Sequence, residues 1–171
     1  MKKWGVLFGV LLLIASAIAV TSASRRDTFT ARLSGFQEPP AISTVARGRI
    51  VFQIEDDMAA TYRLGFEGLE GPVTQAHIHL GQRSVNGGIM VWLCGTTTNP
   101  GPAGTPACAA QGEVGGTITA ATVIGPAGQG VAAGEFAEFL RAVRSGNAYA
   151  NVHSSKFPGG EIRGQLQRDD D

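Results

Sequence analysis

Cysteine, histidine and surplus charge of either sign are all scarce in this 171-residue sequence. Two cysteines cannot build a cysteine-rich scaffold, and their spacing suits no zinc knuckle. Basic and acidic residues balance at 14 each. Lys2 and Lys3 belong to an N-terminal segment expected to be removed, which leaves the rest slightly acidic. Such a chain lacks the basic surface that neutralises phosphates, so nucleic-acid binding is excluded. Three histidines are too few for a dinuclear imidazole site. Repeats and linkers are absent as well, which predicts one domain over residues 24–171.

What is present begins with an export signal at residues 1–23. Lys2 and Lys3 precede the uncharged apolar run Trp4 to Val20, and Thr21-Ser22-Ala23 supplies small residues for cleavage. The run is also near the lower limit for a membrane span, so a retained anchor is the rival reading. The small residues favour cleavage, which leaves no membrane span and predicts a secreted or periplasmic protein. No cysteine follows the run to carry a lipid. Asp169-Asp170-Asp171 reads as a solvated acidic end. Cys94 and Cys108 flank a segment rich in Gly, Pro and Thr. An oxidising compartment favours a disulfide between them, against the alternative of two free thiols as soft metal ligands.

Alternation of period two dominates the remainder. Phe29, Ala31 and Leu33, then Ile50, Phe52 and Ile54, then Ala60, Tyr62, Leu64 and Phe66 each mark one face of a strand. Further strands are expected at 76–80, 89–93, 116–124, 149–153 and 161–165. Met90 and Trp92 fall on one side of theirs, opposite Ile89, Val91 and Leu93. One stretch changes period: Phe136, Phe139, Leu140 and Val143 recur at helical spacing near residues 134–145. Glu135 and Glu138 come early, Arg141 and Arg144 late, and Gly146 suits the position after the helix. The pattern predicts an all-β, antiparallel sandwich or barrel with one short helix.

Four segments carry a family likeness. They are Leu33-Ser34-Gly35-Phe36-Gln37-Glu38-Pro39-Pro40, Ala46-Arg47-Gly48, Ala76-His77-Ile78-His79-Leu80-Gly81, and Asn151-Val152-His153 through Phe157-Pro158-Gly159-Gly160-Glu161-Ile162-Arg163-Gly164. In that order they resemble the CHRD domain, a module repeated in the extracellular antagonist chordin and found singly in exported bacterial proteins. The likeness covers about residues 29–166. It implies an immunoglobulin-like β-structure outside the cytoplasm and no enzyme activity. Chordin's cysteine-rich domains, associated with growth-factor binding, have no counterpart here, so growth-factor antagonism is not implied.

The candidate chemistry lies in the histidines. His77 and His79 are two apart in a strand and share the face opposite Ala76, Ile78 and Leu80. By the same count Tyr149, Asn151 and His153 face away from Ala148, Ala150 and Val152. If the two strands are neighbours, three imidazoles meet on a polar patch outside the core. Neutral imidazoles suit copper or zinc, with Asn151 or Glu161 as acceptors that fix the ring tautomers. A purely structural hydrogen-bonding role is the competing reading. The H-x-H strand also resembles part of the copper region of copper/zinc superoxide dismutases, but too few histidines are present for that site. Glu161 and Arg163 are expected on an outer face, pairing with Arg49 or Arg63. Ser154 and Ser155 beside His153 lack an orienting partner, so no hydrolase triad is expected.

Two functions follow from these readings. One is a non-catalytic binding or structural module of the cell envelope or extracellular space, its partner an extracellular protein or envelope component. The other is a mononuclear copper or zinc site at His77, His79 and His153.

Overall fold

The computed structural model describes residues 1, 27–110 and 112–169. The expected export segment lies outside the described residues apart from Met1, as do Asp170 and Asp171. Among the described residues no helix is long and apolar enough to cross a membrane.

Among the described residues nine strands form one antiparallel sheet: β1 (Asp27–Ser34), β2 (Arg47–Ile54), β3 (Ala59–Glu67), β4 (Val73–Leu80), β5 (Gly88–Gly95), β6 (Gly112–Thr119), β7 (Ala148–Ser154), β8 (Ile162–Gln165) and β9 (Gln167–Arg168). Their order is β5-β4-β7-β8-β1-β2-β3-β6, with β9 added to β1. The sheet curls into a nearly closed barrel, so of the two all-β forms expected the barrel is the one adopted. Tyr62 of β3 helps close the gap by donating its hydroxyl to Leu93 O of β5 at 2.5 Å. The last residues assigned to β6 from the sequence leave the strand at Thr119. There Thr122 Oγ1 accepts from Thr119 N and turns the chain.

The alternating apolar residues of β1, β2 and β3 all point into the barrel and are buried. Their burial is the main force holding the sheet closed. Helix α1 (Phe136–Arg144) closes part of the core: Phe136, Phe139, Leu140 and Val143 are buried, as their spacing predicts. Phe139 meets Phe52 edge to face, with ring centroids 5.8 Å apart. Gly146 takes φ +73°, the left-handed conformation that glycine supplies without strain at a helix end.

Two irregularities shape the edge of the sheet. In the β4–β5 ladder the register shifts between Ala76 and His77 and again between Ile78 and His79. Each shift inserts an extra β5 residue and resets which side its neighbours face. Trp92 therefore pairs with His77, while Ile89, expected on the opposite side, pairs with His79. Met90 and Val91 are both fully buried. Beyond β5, Cys94 and Cys108 are joined at an S–S distance of 2.07 Å. The bond fixes a loop whose Gly101 lies against Trp92; a Cβ there would sit 2.7 Å from the indole.

Candidate metal centre

The antiparallel ladder between β4 and β7 brings the two histidine motifs together. Trp92, His77, Asn151 and Arg163 make one cross-strand row on the outer face of β5, β4, β7 and β8. Ile89, His79, Tyr149 and Gln165 make the next, and Gln75 beside His153 begins a third. Ala76, Ile78, Ala150 and Val152 face the other way, into the core. Period two placed His77, His79, Tyr149, Asn151 and His153 on this side and Ala76, Ile78, Ala150 and Val152 on the other, as found; Ile89, beyond the bulges, is the exception.

The face is not open to water, however. His77, His79 and His153 are only 0, 7 and 6% exposed. Loops that alternation cannot foresee lie over them, so the outer side of this half of the sheet is a second, polar interior. The loop between β1 and β2 reaches it through Thr44, whose hydroxyl donates to Glu161 Oε1 at 2.8 Å. The expectation for Glu161 and Arg163 is corrected here. Glu161 is fully buried, accepting from Thr44 and from Glu70 N (2.9 Å) rather than holding an imidazole or pairing with arginine. Arg163, 1% exposed, donates to Gln82 O and Val85 O at 2.9 and 3.0 Å. Arg63 pairs with Glu113 instead.

Hydrogen bonding fixes the proton on two of the rings. His79 Nδ1 lies 2.9 Å from Gly87 O, and His153 Nδ1 lies 2.9 Å from Pro158 O. A carbonyl oxygen can only accept, so both Nδ1 atoms carry the proton and both Nε2 atoms present lone pairs. Those two Nε2 atoms lie 3.1 and 3.2 Å from Asn151 Oδ1, which is also an acceptor. His77 Nδ1 approaches His153 Nε2 at 3.1 Å, and His77 Nε2 is buried without a partner. Four electron-rich atoms thus converge on a space that contains at most one proton. One ligand atom from each ring lies within 4.8 Å of the others.

Electrostatics keeps the rings neutral. Burial lowers the His77 pKa to about 2, with the neighbouring imidazoles adding to the effect. Burial also lowers His79 to about 4 and moves His153 in the same direction. Neutral imidazoles in a low-dielectric setting are ready ligands for copper or zinc, with no imidazolium charge to remove first. Backbone carbonyls on the far nitrogens are the usual means by which proteins orient such ligands. Bonds of about 2.0 Å require nitrogens roughly 3.3–3.5 Å apart. The His77–His153 pair, at 3.1 Å, is slightly inside that distance, and a pair separated by the full 4.8 Å must close by about 1.4 Å.

Aromatic rings and a second carboxyl enclose the cluster. Trp92 meets His77 edge to face at 4.4 Å, and Tyr149 stacks on His79 at 4.8 Å. The other partner of Tyr149 is Arg163, whose guanidinium carbon is 3.3 Å from the ring centroid. Glu38, from the β1–β2 loop, is buried, and its Oε1 has no partner. Burial raises its pKa to about 7 despite the nearby Arg163. Gly160 makes room for it: with φ +128°, a Cβ at that position would sit 2.5 Å from Glu38 Oε1 and 3.1 Å from Asn151 Nδ2. Sequence reading gave Glu38 no role, because a lone acid before two prolines carries no periodic signal.

No curated protein and no solved structure matches the chain. The family model described as the CHRD domain matches residues 29–166, from β1 to the end of β8 and the residue after it. By that match, which spans nearly all the described fold, the chain belongs to the CHRD-domain family.

Proposed function

We propose that this protein is an exported, non-catalytic CHRD module that holds one copper or zinc ion at His77, His79 and His153. The observation that carries the reading is the meeting of His79 Nε2, His153 Nε2 and Asn151 Oδ1, three acceptors with no donor among them. A cation between them removes the conflict, and the ligand set suits a borderline metal. No nucleophile is poised beside a base here, and the rings lie below covering loops, which favours a binding or stabilising role over turnover. The disulfide fits an oxidising compartment, in keeping with export.

A second reading has its own support. A half-turn of the Asn151 amide would direct its NH₂ at both Nε2 atoms, two acceptors for its two hydrogens. The network would then close without an ion. Calorimetric titration of the purified chain with copper(II) and with zinc(II) separates the two. Binding of one ion per chain, lost in His79→Ala, supports the metal site. Weak binding of either ion, equal in both proteins, supports the closed network.

A further inference from the structure

Asn151 stands at the centre of the histidine cluster. It is directly opposite His77 in the β4–β7 ladder, diagonal to His79, and two positions before His153 on its own strand. Side chains at those offsets on one face reach each other. Asn151 is 3% exposed, so bulk water does not compete for its amide.

The sequence suggested that Asn151 orients the rings from outside, by accepting from nitrogens that do not touch a metal. Its partners rule this out. The outer nitrogens, Nδ1 of His79 and of His153, already donate to Gly87 O and Pro158 O. Asn151 Oδ1 lies instead 3.1 and 3.2 Å from the two Nε2 atoms, whose lone pairs are free. The amide oxygen is therefore on the same side as the ligating nitrogens. Four ligands held at about 2.0 Å in a tetrahedron lie roughly 3.3–3.5 Å from one another. Among His77 Nδ1, His79 Nε2, His153 Nε2 and Asn151 Oδ1, three of the separations are 3.1, 3.1 and 3.2 Å. Small outward shifts bring these three to the tetrahedral value.

We infer that Asn151 Oδ1 is the fourth ligand, closing a tetrahedral set of three nitrogens and one oxygen around a structural zinc(II). The inference rests on the metal reading above and narrows it. Zinc(II) takes four ligands tetrahedrally, whereas copper(II) favours a tetragonal arrangement. Four protein ligands leave no position for water or a substrate, so the ion joins β4 to β7 and performs no turnover.

Cobalt(II) is the probe, because its visible absorption is strong with four ligands and weak with six. The chain loaded with one equivalent should show the strong bands, and added azide should leave them unchanged. Asn151→Ala should bind zinc(II) about tenfold or more weakly, and its cobalt(II) spectrum should respond to azide. Asn151→Asp keeps an oxygen at the same place and should retain the strong bands and the indifference to azide. Parent and Asn151→Asp carry the test if Asn151→Ala does not fold. A parent chain that binds neither ion overturns the metal reading and this inference with it. Weak bands in the parent, an azide response in the parent or in Asn151→Asp, or undiminished zinc(II) affinity in Asn151→Ala overturns the fourth ligand alone and leaves a three-histidine site.

Discussion

His77 Nδ1 lies 3.1 Å from His153 Nε2, although the two residues are 76 positions apart. The contact exists because β4 and β7 pair with Gln75 opposite His153 and His77 opposite Asn151, setting the two rings on a diagonal. Long side chains reach each other at that offset. The pairing couples the two histidine motifs, and from it follow the electrostatic properties of the polar interior.

Acid should destabilise the fold earlier than its carboxylates alone would cause. The three histidines have folded pKa values below the ordinary 6.5, so below that pH the unfolded chain binds more protons. Their contribution is complete above pH 6.5 and is lost as pH falls, for His79 through about pH 4. The lowering of His79 alone corresponds to on the order of 3 kcal/mol. Urea midpoints taken between pH 4 and 7 should climb with pH. A flat profile over that interval would contradict the burial of the rings.

Glu38 works in the opposite sense. Its folded pKa lies near 7 against an ordinary 4.5, so its contribution is complete below pH 4.5 and is lost as pH rises through 7. Glu38→Gln removes that loss. At pH 8 the variant should be more stable than the parent by on the order of 2 kcal/mol, and at pH 4 nearly equal. Thermal melts of both proteins at the two pH values check this.

Arg163 should not be replaceable by lysine. Its planar guanidinium covers the Tyr149 ring while donating to two carbonyls of the loop after β4. An ammonium cannot stack and fork at once. Arg163→Lys should cost about 2–4 kcal/mol in denaturant unfolding and raise the mobility of residues 82–85. A loss below about 0.5 kcal/mol would show that the stack contributes little.

Reduction of the Cys94–Cys108 bond should be felt at the imidazoles. The bond holds the loop in which Gly101 covers Trp92, and Trp92 in turn covers His77. Releasing a loop of this length costs about 3 kcal/mol in the chain-entropy model. Trp92 should become more accessible to an aqueous quencher after mild reduction, well below the unfolding transition. Unaltered quenching would place the cover of His77 elsewhere.

Much of this was legible in the sequence because period two reports which side of a strand a residue takes. It set Ala76 and Ile78 inward with His77 and His79 outward, and it put Tyr149, Asn151 and His153 on the matching side. Helical spacing found Phe136, Phe139, Leu140 and Val143 for the same reason. Alternation does not report what covers a face. The burial of His77, Glu161 and Arg163 depends on loops fixed by contacts such as Thr44 to Glu161, 117 residues apart. Nor does it survive a bulge, which is why Ile89 lies with Trp92 and not opposite it.

The most direct measurement is long-range ¹H–¹⁵N NMR of the three imidazoles, before and after one equivalent of zinc(II). The account predicts neutral rings at pH 7, protons on Nδ1 of His79 and His153, and large shifts of both Nε2 resonances together with His77 when zinc is added. Protons on Nε2 of His79 or His153, or Nε2 resonances unmoved by zinc, would contradict it.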